Sequence, residues 1–259
     1  PNKNRIIFTM WESTRIYDIF IEIANQQRAI IVPNQWNKDN FTHQGVTVPI
    51  HVVPLFVDDY FNYSEPEDKD CFVFGTANGD ERKRIEDVCK CFIKAFPKQK
   101  NVKLNVKVSR LDDTQCKFTD SRINFIKKDY SLESLKEWYC CNDVFVSCVA
   151  AEGWGLMQHE SMACGRPVIA ANYAGLSEFM TKDNSFPVDF SEVPSKGYWK
   201  NPGGKWSKYD EEHMIETMRY CYNNPEKVKR KGVLASSDAL KLSKLNFIKN
   251  IRKTISIYQ

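Results

Sequence analysis

The chain has 259 residues, 42% of them hydrophobic and 27% charged, which is the balance of an ordinary globular protein and excludes wholesale disorder. Its net charge of +4 comes from 37 basic and 33 acidic residues scattered along the sequence, which argues against a dedicated nucleic-acid surface with its concentrated basic stripe. No apolar run, 143–151 included, approaches the roughly 20 residues of a membrane-spanning helix, so no transmembrane segment is expected.

In chain order, short runs rich in Val, Ile and Phe alternate with stretches of helical period, the pattern of strands joined by helices in a parallel sheet. Strands are predicted at 6–9, 29–32, 50–53, 71–74, 103–108, 123–126, 144–147, 167–170 and 185–188. A helix is predicted over 82–96, where Ile85, Val88, Cys89, Phe92, Ile93 and Phe96 recur at three- and four-residue spacing. Another is predicted over 132–140 behind a capping Ser131. Two more follow at 211–222 and 225–236, the latter opened by Pro225 after Asn224. The last stretch, 240–258, has helical period as well.

The segment 58–70, DDYFNYSEPEDKD, interrupts the apolar pattern with charge and turn formers, and a domain boundary is placed there. Residues 1–69 then form a shortened N-terminal, acceptor-side α/β piece with its linker. Residues 70–239 read as a complete doubly wound, Rossmann-like domain. The helix in 240–259 is long enough to pack back on the N-terminal piece. A loop over 192–209 is expected to be an ordered surface excursion. Of the two dense charge blocks, 80–84 and 227–231, the second reads as a solvated helical face ahead of a phosphate contact.

Nine cysteines, an odd number with no CxxC pair and no zinc-like spacing to the four histidines, fit a reduced cytoplasmic setting. Cys148 and Cys164 lie in apolar runs and read as small buried side chains. There is no signal-peptide pattern, and the chain begins at Pro1, so it is expected to be a piece of something longer, flanked by other domains.

The predicted strand 144–147 runs into Cys148-Val-Ala-Ala-Glu-Gly-Trp-Gly155, with a helix beginning near Leu156. In a doubly wound sheet, ligands bind at the carboxyl ends of strands, where a glycine-rich turn lets backbone N–H groups meet an anion. Glu160 lies about one turn into that helix, where a carboxylate can accept two hydrogen bonds from a ribose diol. Glu152 stands before the turn at the lip of the cleft. Gly165 suits a left-handed cap, and Pro167 opens the next strand.

The whole unit, EGWGLMQHESMACGRPVIA, resembles the signature of the GT-B glycosyltransferases of family four, EGFGLxxxEAMACGxPVIA, with Trp154 for phenylalanine and Ser161 for alanine. Weaker likenesses follow the family order. Ile31-Val-Pro-Asn-Gln-Trp36 and Gly45 to Asp58 are similar to its interdomain segment, with Phe56 in place of a glycine. Asp129 to Leu135 and Cys141 to Val146 resemble the approach to the donor site, and Gly175-Leu-Ser-Glu178 resembles its exit. The likeness covers about residues 29 to 235.

The resemblance implies a GT-B-like fold and transfer of a hexose or deoxyhexose from a GDP- or UDP-linked sugar to a glycan hydroxyl, with retention and no essential metal or other cofactor. It implies that Glu160 binds the ribose, that Gly153, Trp154, Gly155 and Leu156 face the diphosphate and sugar, and that Glu152 stands beside the transferred sugar. The leaving diphosphate also needs positive charge. Lys83 matches the family's lysine; the earlier arginine is missing from 75–81, so either Arg82 or Arg84 substitutes or the site is weakened. Lys83 reads as a phosphate contact ahead of a solvated helix start, and Arg82 stands evenly between the two.

Trp11 and Glu12 follow the first predicted strand and are candidates for the acceptor side of the cleft, behind a purely structural role. His159 reads as a packing residue, and the aromatics of the 199–206 loop as packed surface ahead of a sugar-stacking platform. Asp58-Asp59 and Asp112-Asp113 do not stand in the context of a metal-binding DxD. Two other readings of the whole remain: a non-catalytic sugar-nucleotide-binding module of a larger assembly, and a GT-B-fold epimerase or phosphorylase-type enzyme. The composition, rich in Lys, Asn and Ile, fits one domain of a multidomain bacterial or large-DNA-virus enzyme.

Overall fold

The computed structural model describes residues 4–77, 81–108, 118–196 and 203–259. Among the sequence readings, Trp199, Asp112, Asp113 and Cys116 lie outside them.

The N-terminal piece is a parallel three-stranded sheet, β1 (Ile6–Phe8), β2 (Ala29–Val32) and β3 (Ile50–Val52), in the order β1-β2-β3. Its crossovers are α1 (Asp18–Asn25) and α2 (Gln35–His43). Side chains alternate across the sheet as period-two geometry requires: Ile7, Ile30, Val32, Ile50 and Val52 pack into one cluster with Ile16, Ala24 and Phe41. The opposite face, with Phe8 and His51, meets the last helix of the chain, α8 (Lys244–Ser256). There the Phe8 and Phe247 rings lie 6.2 Å apart, and His51 Nε2 is 2.6 Å from the Tyr258 hydroxyl.

The second piece is a six-stranded parallel sheet: β4 (Phe72–Ala77), β5 (Val102–Val108), β6 (Ile123–Lys127), β7 (Val144–Ser147), β8 (Val168–Ala171) and β9 (Phe186–Val188). Its order, β6-β5-β4-β7-β8-β9, reverses between β4 and β7. That reversal opens a crevice at the carboxyl ends of those two strands, where doubly wound folds bind ligands. All residues of β7 and β8 are buried, which explains why they read as unbroken apolar runs.

One face of the sheet is covered by α3 (Ile85–Ala95) and α6 (Glu211–Asn223), through Val88, Phe92, Met214 and Met218. The other is covered by α4 (Leu132–Cys140), α5 (Leu156–Ala163) and α7 (Pro225–Lys241), through Trp138, Met162, Ala235 and Ala239. Ser131 caps α4 by accepting from the Ser134 N–H. The buried Arg166 guanidinium donates to the carbonyls of Cys140, Asn142, Ser64 and Cys164, fixing the linker after β3 to the base of this domain.

Three elements differ from the sequence expectation. The helix expected over 82–96 is a 3-10 turn, Glu81–Lys83, followed by α3, with Arg84 between them in the left-handed region at φ 50°. The Arg82 carbonyl accepts from the Ala150 N–H at 2.9 Å, and Arg84 donates to the Ser207 carbonyl at 3.0 Å. These tertiary bonds hold the first turn out of the helix.

The expected excursion over 192–209 contains an antiparallel hairpin, β10 (Phe190–Pro194) and β11 (Lys205–Tyr209). It lies on the strand-to-helix turn through Ser207 N–H to the Ala150 carbonyl at 2.8 Å, and Trp206 is buried against Ala150, Ala151 and Tyr173. Finally, the break expected between helices at 225–236 and 240–258 falls later: α7 runs on to Lys241, and Ser243 caps α8 by accepting from the Asn246 N–H.

Candidate active site

The turn from β7 to α5 occupies the crevice beside β4. Gly155 is the N-cap of α5 at φ +99°, and a side chain there would meet Leu176 at 2.4 Å. With a left-handed backbone and no room for Cβ, only glycine fits. No side chain caps α5, so its first-turn N–H groups and the positive end of its dipole remain available to an anion. Behind the turn, the 3-10 segment Ala174–Glu178 lies backbone against backbone: the Gly175 N–H donates to the Glu152 carbonyl at 2.8 Å.

Glu152 is buried and gathers the site's charge. Arg82 Nη1 donates to its Oε2 at 3.0 Å, and Lys83 Nζ contacts its Oε1. Arg82 also reaches Glu12 of the N-terminal piece, Nε to Oε2 at 3.3 Å. Burial pushes the Glu12 carboxyl above its ordinary range; Arg82 and Lys83 oppose this, and Glu152 adds to it. Two cations and two carboxylates therefore balance across the gap between the two sheets. An incoming anion would compete with the carboxylates for Arg82 and Lys83.

Glu160 is half-buried in α5, and its Oε2 accepts from the Tyr139 hydroxyl at 2.7 Å. No hydrogen bond to its Oε1 forms among the described residues. Burial raises the Glu160 carboxyl, the Tyr139 bond and the Lys107 charge lower it, and Asp58 raises it further. The structure thus brings Arg82, Lys83, Glu12, Glu152 and Gly153 together, with Gly155, Leu156 and Glu160 along the following turn and helix. Leu156 is half exposed at the helix start.

Trp154 is buried. Its side chain faces the core, donating from Nε1 to His159 Nδ1 at 3.2 Å and packing on Phe179, so only its backbone belongs to the turn. That bond leaves the proton on His159 Nε2, which donates to the Ala239 carbonyl at 3.2 Å. Burial lowers His159 to about 4, so the ring is neutral.

Trp11 is likewise spent on its own loop. Its indole donates to the Arg15 carbonyl at 2.6 Å and its backbone N–H to Asn37 Oδ1 at 2.6 Å. Arg84 is turned away on the hairpin, so of the two arginines considered, only Arg82 faces Glu152. Among the described residues, no group of three or more His, Cys, Asp or Glu side chains is placed to hold a metal.

Sequence reasoning missed Asn34, Asn37 and Tyr139. The amides of Asn34 and Asn37 donate to the Gly153 carbonyl at 2.7 and 3.3 Å, tying the start of α2 to the turn from the opposite domain. Asn34 also caps α2 by accepting from the Asn37 N–H at 2.8 Å. The available signal was an Asn two residues after a buried strand, a capping residue with an amide to spare. Tyr139 gave no signal, because its ring sits on an apolar helix face.

This arrangement, two parallel α/β units meeting over a crevice with a helix N-terminus and two basic residues, is that of the GT-B architecture. Residues 69–194, just under half of the chain, match the family described as glycosyl transferases group 1. No curated protein matches the chain.

Among solved structures, TarM of S. aureus superposes with a TM-score of 0.76 at 15% identity, over 97% of this chain and 50% of TarM. Anabaena HepE in complex with UDP-glucose gives 0.76 at 14% identity, over 98% of this chain and 72% of HepE. Sucrose-phosphate synthase from Thermosynechococcus elongatus gives 0.72 at 15% identity, over 93% and 61%. The chain therefore has the GT-B glycosyltransferase fold and spans about half the length of TarM.

Proposed function

We propose that the chain is the nucleotide-sugar-binding part of a metal-independent family-four glycosyltransferase. It moves a hexose or deoxyhexose from a UDP- or GDP-linked donor to a hydroxyl of a glycan acceptor, with retention. The observation that carries this reading is the convergence of Arg82 and Lys83 on Glu152 at the turn that opens α5.

In this reading the donor diphosphate takes Arg82 and Lys83 from the carboxylates and lies on the N-terminus of α5. Glu160 accepts from the ribose diol through the oxygen that Tyr139 leaves open. The sugar lies beside Glu152 and the Gly153–Leu156 turn, and Glu12 faces the acceptor side. The bond from C1 to the leaving phosphate oxygen breaks with its electron pair going to phosphate, where Arg82, Lys83 and the helix dipole stabilise the charge. The acceptor oxygen bonds to C1 on the same face, and its proton passes to the departing phosphate.

HepE and TarM are described with UDP, which makes UDP-sugars the first donors to test. The eight free cysteines of the described residues fit a cytoplasmic setting. The test is proton NMR of UDP- and GDP-sugars incubated with the protein and candidate glycan acceptors. Transfer or slow donor hydrolysis, with the product anomer retained, is expected. An inverted product would overturn retention, and donor binding with neither transfer nor hydrolysis would make the chain a binding module.

A further inference from the structure

We propose that the outer face of α8 is a docking surface for an anionic membrane. At 3.6 residues per turn, Phe247, Ile251 and Thr254 share the inward side of this helix, and Tyr258 follows just beyond its end. Phe247 packs on Phe8 and Phe56, and Tyr258 on His51. Away from that contact, Leu245, Ile248, Arg252 and Ile255 follow one another at intervals of three, four and three residues, which places them in one stripe.

This stripe is apolar and exposed. Leu245 is 76% accessible, Ile248 and Ile255 38% each, and Ile257 just beyond the helix 64%. Long aliphatic side chains on a surface helix usually face the core, so a row of them turned outward marks an interaction face.

The charge around the stripe has one sign. Residues 243–259 carry Lys244, Lys249, Arg252 and Lys253, all exposed, and no Asp or Glu. None of these four forms an ion pair among the described residues. The field over α8 is therefore uncompensated.

A partner must then supply negative charge and an apolar layer together. A bilayer interface rich in anionic phospholipid does so in depth order: phosphates meet the Lys and Arg heads, and the acyl boundary beneath receives Leu245, Ile248 and Ile255. Thirteen residues make a helix about 20 Å long, and among the described residues no helix is long and apolar enough to cross a membrane. The contact is one of lying on the surface.

The test is cosedimentation of the protein with vesicles of phosphatidylcholine alone and of phosphatidylcholine with phosphatidylglycerol at three to one. Binding to the mixed vesicles only, weakening with salt, is expected. Removing Lys249, Arg252 and Lys253 as Gln substitutions should lower the vesicle partition coefficient about a hundredfold, at about fivefold per charge. Leu245→Ser with Ile248→Ser should lower it as well, and the thermal transition of both variants should match the parent because the substituted side chains are exposed. No binding to the mixed vesicles, equal binding to the neutral ones, or variants that bind like the parent would overturn the proposal. So would a dimer that is lost on Leu245→Ser without any vesicle binding.

Discussion

The hydroxyl of Tyr139 is bonded to one oxygen of Glu160 at 2.7 Å, from a ring buried in the core between α4 and α5. A residue with no access to ligand thus orients the carboxylate assigned to the ribose. Burial, with the charge of Glu160, holds the Tyr139 phenol protonated well above its ordinary range, so it remains a donor at any working pH.

Tyr139→Phe should therefore weaken nucleotide binding by roughly tenfold at neutral pH, the order of a lost hydrogen bond to a charged group. It should also move the pH dependence. Glu160 is already raised by burial and lowered by Tyr139, so removing the hydroxyl raises it further. Affinity falls as pH drops through that value, and the variant should begin to lose it at higher pH. Calorimetric titrations with UDP across about pH 5 to 8 would show it; identical profiles would mean that Tyr139 only fills space.

Lys83→Met leaves Arg82 as the remaining cation of the pair on Glu152. Donor turnover should fall by about a hundredfold or more, since charge on the leaving phosphate would lose one of its stabilising partners. Rates from NMR time courses at saturating donor would measure this, and a change confined to KM would place Lys83 in ground-state binding alone.

Gly175→Ala should lower stability by about 1–3 kcal/mol, because the added Cβ would stand 2.6 Å from the backbone of Gly153 and Trp154. Nucleotide affinity should fall with it, as the turn is displaced. Gly45→Ala is the comparison: its φ of +97° is strained for alanine, but nothing lies within 4 Å. It should cost about 1–2 kcal/mol with affinity intact. Urea unfolding and UDP titration of both variants separate the two effects.

His159 makes stability depend on pH. Its ring titrates near 6.5 in the unfolded chain and near 4 in the fold, so between those values the unfolded state binds more protons. The stability present above 6.5 is then lost progressively as pH falls toward 4, by up to roughly 3 kcal/mol. His159→Gln cannot take up that proton and should flatten the slope. Denaturation midpoints at neutral pH and at pH 5 would reveal an unchanged slope if the assignment is wrong.

Much of the fold was legible in the sequence because burial leaves local marks. Strands β2 and β7 stand where their apolar runs place them, and α4 begins at its capping serine. The glycine turn ahead of α5 was legible because its backbone requirement is local. The site was not legible where distant segments meet. Periodicity cannot show that Ala150 occupies the Arg82 carbonyl, that Trp154 turns toward His159, or that Asn34 and Asn37 reach across to Gly153. The missing arginine looked like a gap in the sequence, yet in space Arg82 stands beside Lys83 on the same carboxylate.

The central claim is that the crevice binds a nucleoside diphosphate through Glu160 and the basic pair. Isothermal titration calorimetry with UDP and GDP, on the parent chain and on Glu160→Ala, tests it most directly. Saturable binding of at least one of them, weakened tenfold or more in the variant, is the predicted result. No binding of either nucleotide, or equal affinity in the parent and the variant, would contradict it.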